Sequence, residues 1–239
     1  MKLDILAFAA HPDDTELSCA GTLAMHISKG DKVGVVDLTR GEMGTRGTPE
    51  IRDTEAKNSA EILGLSVRDN LGFFDAYFVN DKAHQHEVVK SIRKYRPEVI
   101  LANAIYDRHP DHGRASKLVV DACFLSGLSK VKTKDDDGND QKPWRPRAVY
   151  HYIQSQFITP DFIVDVSDHW ETKMEAIKAF KSQFFDPNNE EPETYISSPQ
   201  FLEMLESRGI ELGHSIGVKY GEGFTKDRNL GVSNLKDLL

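Results

Sequence analysis

Two short apolar runs separated by one helical stretch constrain this chain more than any other feature. Residues 3–10 and 33–38 are each almost continuously hydrophobic, the pattern of strands buried on both faces. Between them Leu17, Ala20, Ala24 and Ile27 recur at helical spacing over residues 16–29, and Gly30 offers a stop. A strand, helix and strand of this size close as a right-handed parallel crossover. The alternation then continues. Thr48-Pro49-Glu50 opens a helix that stops at Gly64, strands follow at 67–71 and 99–102, and a helix at 84–95 between them ends before Pro97. Helix 113–125, strands 147–153 and 162–166, helix 168–185, and helix 199–208 capped by Ser198 complete the reading. The expected class is α/β: a Rossmann-like, open, mostly parallel sheet with helices on both faces and its active site at the C-terminal strand ends. No repeat or interdomain linker interrupts the 239 residues, so 1–239 reads as one domain.

Polar chemistry concentrates where such a sheet would keep it. His11-Pro12-Asp13-Asp14 follows the first strand directly, and His109-Pro110-Asp111-His112 follows the fourth, so two strand ends converge on one metal ion. Adjacent carboxylates on a turn diverge, so Asp13 and Asp14 take different parts: one binds the metal and the other faces its water. His112 is the best third ligand and completes a His-Asp-His set with His11. Three protein ligands plus water is the catalytic zinc arrangement, so one Zn2+ per chain is expected. Mixed imidazole and carboxylate ligation also accepts Fe2+, Mn2+ or Co2+. These residues read as a metal-dependent hydrolase. Asp75, after the third strand, is placed to line the same crevice, and Arg40, Arg46, Arg52, Arg108 and Arg114 flank the two loops.

Composition excludes other classes. With 39% hydrophobic and 28% charged residues, no apolar run approaches the roughly 18 residues of a membrane span. A net charge of −8 argues against nucleic acid or an anionic membrane surface as partner. Cys19 and Cys123 give neither a disulfide framework nor a Cys-x-x-Cys metal pair. The N-terminus lacks a signal-peptide pattern, which points to the cytoplasm.

Ala10-His11-Pro12-Asp13-Asp14 with Glu16, joined to His109-Pro110-Asp111-His112, resembles the zinc N-deacetylases of the LmbE and PIG-L type, nearly end to end. Thr39-Arg40-Gly41-Glu42-Met43-Gly44-Thr45-Arg46-Gly47, Arg52, Gly72-Phe73-Phe74-Asp75 and Tyr220-Gly221-Glu222-Gly223-Phe224 are similar to one branch of it. That branch removes acetate from N-acetyl-α-D-glucosaminyl L-malate in bacillithiol biosynthesis. The resemblance implies His11, Asp14 and His112 as zinc ligands and Asp13 as general base. It implies His109 as a protonated partner of the oxyanion and Asp111 as a carboxylate orienting an imidazole. Arg52 and Asp75 would hold sugar hydroxyls, and Tyr195 matches a tyrosine that swings toward the acetyl oxygen in some relatives. A malate aglycone carries two carboxylates, which suit the guanidinium forks of Arg46 or Arg108. A small amino-sugar substrate and a trimeric or hexameric homo-oligomer are further implications. Other relatives act on diacetylchitobiose, mycothiol precursors and glycolipids, so deacetylation of N-acetylglucosamine or chitooligosaccharides is the alternative. A metal phosphoesterase and a non-catalytic sugar- or metal-binding protein are the rivals.

Overall fold

The computed structural model describes residues 1–184 and 191–238. In chain order its elements are β1 (Ile5–Ala9), α1 (Asp14–Ser28), β2 (Val33–Thr39), α2 (Pro49–Leu63), β3 (Val67–Phe73), α3 (Lys82–Tyr95), β4 (Val99–Ala102) and α4 (Pro110–Ser126). There follow β5 (Ala148–Tyr152), β6 (Phe162–Asp165), a 3-10 turn Ser167–His169, α5 (Trp170–Lys178), α6 (Pro199–Ser215) and β7 (Gly221–Lys226). The seven strands form one sheet in the order β3-β2-β1-β4-β5-β7-β6. β3, β2, β1, β4 and β5 run parallel, and β7 is antiparallel to both β5 and β6.

The continuous apolar run of β1 is explained by helices on both of its faces. Leu6 and Phe8 pack with Val88 and Ile92 of α3 and Leu118 and Val119 of α4. Ile5 and Ala7 point the other way, into a cluster with Cys19 and Leu23 of α1. The order reverses between β1 and β4: from β1 the chain goes to β2, and from β4 it goes the opposite way to β5. The crevice above that switch point is where an open α/β sheet receives a ligand.

Several boundaries differ from the sequence reading for identifiable reasons. Helix α3 starts at Lys82 rather than His84 because the Asp81 carboxylate accepts the His84 N–H at 3.0 Å. Helix α4 starts at Pro110 rather than Gly113 because His109 itself is the cap. Helix α6 runs to Ser215, and Ser198 does not cap it; its hydroxyl donates to Tyr195 O at 3.3 Å instead. The helix expected over 168–185 is a 3-10 turn followed by the shorter α5, and Phe185 lies outside the described residues. Strand β7 shows no apolar periodicity; Gly221-Glu222-Gly223 is a strand because it fills the slot between β5 and β6 and bonds to both. Among the described residues no helix is long and apolar enough to cross a membrane.

Candidate active site

The ends of β1 and β4 meet at the switch point and bring three imidazoles together. Ring centroids of His11 and His109 lie 4.7 Å apart, those of His109 and His112 5.1 Å, and those of His11 and His112 5.6 Å. Asp14, the first residue of α1, is buried between two of them: its Oδ1 is 3.1 Å from His112 Nε2 and its Oδ2 is 3.6 Å from His11 Nδ1. A tetrahedral metal with bonds of roughly 2.0–2.2 Å holds its ligand atoms about 3.4 Å apart, so each of these Asp14–histidine pairs is close to that spacing, and His11, His109 and His112 also bring nitrogens together as a group that could hold a metal. The remaining nitrogens are turned outward and held by carboxylates. His112 Nδ1 meets Asp107 at 2.6 Å, while His11 Nε2 meets Asp75 at 3.1 Å and Asp111 at 3.3 Å. A carboxylate behind each ligating imidazole is the arrangement that fixes ring orientation and tautomer at metal sites. The donor set therefore fits a divalent metal, with His11 Nδ1, Asp14 and His112 Nε2 as the atoms that would hold it.

Electrostatics follow the geometry. Burial alone would lower the pKa of His112, but the Asp14 charge and the hydrogen bonds to Asp107 and Asp14 push it up to about 9. Burial opposes ionisation of Asp14, yet the adjacent His112 and His11 hold it well below the ordinary carboxylate range. Asn103, just past β4, donates to Asp14 Oδ2 at 3.0 Å, and Gln154, just past β5, donates to Asp14 Oδ1 at 2.9 Å.

Asp13 diverges from Asp14. Burial drives its carboxyl up to about 7, against the opposing pull of the Arg52 guanidinium. Arg52 Nη2 donates to Asp13 Oδ2 at 3.0 Å and to Pro12 O, and Nη1 donates to Gln183 Oε1 at 3.1 Å. The guanidinium passes over Gly41, where an added Cβ would stand 2.7 Å from Arg52 Nη1; at φ +67 a side chain there would also be strained. His109 Nδ1 accepts the Asp111 N–H at 3.3 Å, which leaves that nitrogen unprotonated and the proton on Nε2. Burial and the nearby His11 and His112 charges push its pKa down.

A cavity of about 390 Å³ opens above this corner. Asp13, Asp14, His11, His109 and His112 line it, with Arg52, Asp75, Arg108 and Tyr195. His109, expected as a protonated partner, accepts the Asp111 N–H through Nδ1 and turns to the cavity with its pKa pushed down. Asp75, which lines the cavity, has Oδ1 on His11 and Oδ2 on the Met43 N–H at 3.0 Å. Arg52 is bound to the Asp13 carboxylate and so positions that group. Arg46 is buried, turned toward Phe184 O at 3.4 Å and Glu191 at 3.8 Å, and does not line the cavity. Asp111 lies against His11 Nε2 and accepts the Ala76 N–H at 3.0 Å. Tyr195 is 47% exposed at the mouth, with the Arg108 guanidinium 4.4 Å from its ring centroid. The Arg108 side chain makes no hydrogen bond or ion pair among the described residues. Asp107, Asn103 and Gln154 were not singled out from sequence. The usable signal was position: Asp107, Asn103 and Gln154 are polar residues just beyond the ends of β4 and β5.

A family model described as PIG-L, GlcNAc-PI de-N-acetylase, matches residues 6–123. Diacetylchitobiose deacetylase of Thermococcus kodakarensis is 32% identical over 230 residues, covering 92% of this chain and 81% of that protein. The crystal structure of the conserved protein TT1542 from Thermus thermophilus superposes with a TM-score of 0.85 at 36% identity, covering 97% of this chain and 98% of that one. A protein of Bacillus cereus named probable N-acetyl-alpha-D-glucosaminyl L-malate deacetylase 2 is 26% identical over 206 residues, covering 77% of this chain and 84% of that protein. Likeness over this much of both chains means that the protein belongs to the PIG-L (LmbE) family of N-deacetylases. It is an amidohydrolase of that class; such enzymes are metal-dependent, and the His/Asp corner is the candidate metal site.

Proposed function

We propose that residues 1–239 act as one unit that removes the N-acetyl group of N-acetyl-α-D-glucosaminyl L-malate, releasing acetate and the free amine. The observation that carries the anionic aglycone is Arg108, an exposed guanidinium at the cavity mouth with no carboxylate partner among the described residues. Guanidinium forks bind carboxylates bidentately, and a malate aglycone would supply them. The Bacillus cereus relative supports the same substrate.

His11, Asp14 and His112 would hold a divalent metal, Zn2+ in this proposal, which would supply Lewis acidity for the amide carbonyl and for water. Asp13 takes a proton from the attacking water, held in position by Arg52. His109 donates its Nε2–H to the carbonyl oxygen as negative charge builds there. The carbon–nitrogen bond breaks, and Asp13 returns its proton to the departing nitrogen. Asp75, Asp111 and Asp107 keep the ligand imidazoles oriented. Action in the cytoplasm as a trimer or hexamer belongs to the same proposal; exposed Phe74 and Tyr77, stacked 5.4 Å apart, support assembly, and light scattering would read its size.

Deacetylation of diacetylchitobiose is the second reading, favoured by the 32% identity to the Thermococcus enzyme. Amine release from the malate glycoside, diacetylchitobiose and N-acetylglucosamine at equal concentration separates the two. A preference of about tenfold or more for the glycoside, lost through KM in Arg108→Ala, is the expected result. Equal KM in that variant would move anion recognition away from Arg108, and preference for diacetylchitobiose would establish the second reading.

A further inference from the structure

The cavity is deeper than an acetyl group needs. Its mouth is formed by exposed Met43, Arg108 and Tyr195. From the metal corner it descends beside α1, past Leu17 and Ser18, to a floor made by Trp170 and the buried pair Lys173 and Glu222. Phe201, Leu205 and Leu212 of α6 form the facing wall. Glu222 accepts the N–H groups of Gly21 and Thr22 at 3.0 and 2.7 Å and the Lys173 ammonium at 2.6 Å, so the floor is anchored seven residues along α1 from Asp14. At the helical rise this is about 10 Å below the metal corner. Gly209 closes the bottom, since a Cβ there would stand 2.4 Å from the Trp170 ring and its absence lets α6 lie directly on the indole.

Orientation decides what enters. A sugar carries hydroxyls that belong in water, so it occupies the exposed mouth. Its amide carbon must lie beside Asp14 and His112, and the acyl substituent, on the opposite side of that carbon from the nitrogen, then points down the shaft, past Leu17 and along the wall of Phe201, Leu205 and Leu212.

We propose that this shaft is an acyl-chain chamber and that the protein also hydrolyses amino-sugar amides whose acyl group is a medium-length linear chain. The step is the one given above, on which this inference rests: water oxygen bonds to the acyl carbon, the carbon–nitrogen bond breaks, a water proton ends on the amine, and a fatty carboxylate leaves. Burial of each further methylene along the wall favours the longer chain.

The test compares N-acetyl-, N-butyryl- and N-hexanoylglucosamine, and separately the binding of acetate and hexanoate by calorimetry. Expected are butyryl and hexanoyl turnover within about tenfold of acetyl, hexanoate bound at least about tenfold more tightly than acetate, and a hexanoyl-to-acetyl ratio lowered about tenfold in Leu205→Trp. A hundredfold fall from acetyl to butyryl, with acetyl turnover intact, overturns the chamber. So does a gain confined to an alkyl aglycone on an N-acetyl sugar. If no amide is cleaved, the deacetylase reading fails, and the binding of hexanoate against acetate still decides whether the chamber holds an acyl chain.

Discussion

Two turns of this molecule carry the letters His-Pro-Asp, and their helices begin in different frames. At residues 11–14 the third letter is the cap position: Asp13 precedes α1, adopts φ 118°, and makes no side-chain cap bond. At residues 109–112 the first letter is the cap: His109 accepts the Asp111 N–H, and Pro110 opens α4. The two-residue shift changes what each turn presents. Asp13 keeps its carboxylate for the cavity, at a backbone cost of about 1–3 kcal/mol for a non-glycine residue in that region. Asp111, the equivalent letter, is folded into the first turn of α4 and accepts the Ala76 N–H behind His11. His109 gives one nitrogen to the helix and presents the other. A strand-to-helix turn thus offers for chemistry the group its helix does not use.

The largest test of that difference is at Asp13. Asp13→Asn should lower turnover about a thousandfold with metal content unchanged, and Asp13→Gly should be as inactive while unfolding at the same or a higher temperature. Turnover within tenfold of the parent in either variant would remove Asp13 as base. Next is His109: His109→Ala should cost about a hundredfold in turnover and about 1 kcal/mol of helix stability. His109→Asn can cap but cannot replace the imidazole, so it should recover the melting temperature alone; recovery of turnover as well would show that the free nitrogen is idle. Third, Asp107→Ala should weaken metal affinity about 10–100-fold in a chelator competition, whereas unchanged affinity would make the Asp107 contact incidental.

The remaining effect is graded with pH. A proton on His112 competes with metal, and its pKa of about 9 in the metal-free protein means that affinity should rise with pH up to that value, by up to about tenfold per unit for each proton released, with His11, whose pKa is also raised, contributing a competing proton of its own. Calorimetry in two buffers of different ionisation enthalpy counts those protons. Affinity independent of pH between 6 and 9, a window of about three units, would place the metal away from His112.

The parallel half of the molecule was legible because each step leaves a local mark. Apolar runs gave β1, β2 and β4, and the Thr48-Pro49 start and Gly64 end of α2 were found where expected, with the Thr48 hydroxyl accepting from Ile51 N. Convergence of the two His-Pro-Asp turns was also readable, because strand-end chemistry collects at a switch point. What could not be read depends on distant partners. Asp107 and Gln154 acquire meaning from His112 and Asp14, which lie near them only in the folded chain. Arg46 and Arg52 occupy similar stretches of sequence, yet one guanidinium is turned inward and the other reaches Asp13. Strand β7, with two glycines and a glutamate, was invisible to hydrophobic pattern because its place comes from ladder bonds to β5 and β6.

The position of β7 also bears on synthesis. A ribosome delivers β5 and β6 before the strand that joins them, so until then the sheet ends at an open β5 edge and β6 has no partner in it. Unpaired edges of this kind template association with other chains. Until residues 221–226 arrive, Glu222 cannot meet Lys173, and the cavity has no floor. Completing the sheet is therefore a race between insertion of that segment beside β5 and capture of the open edge by a neighbouring nascent chain.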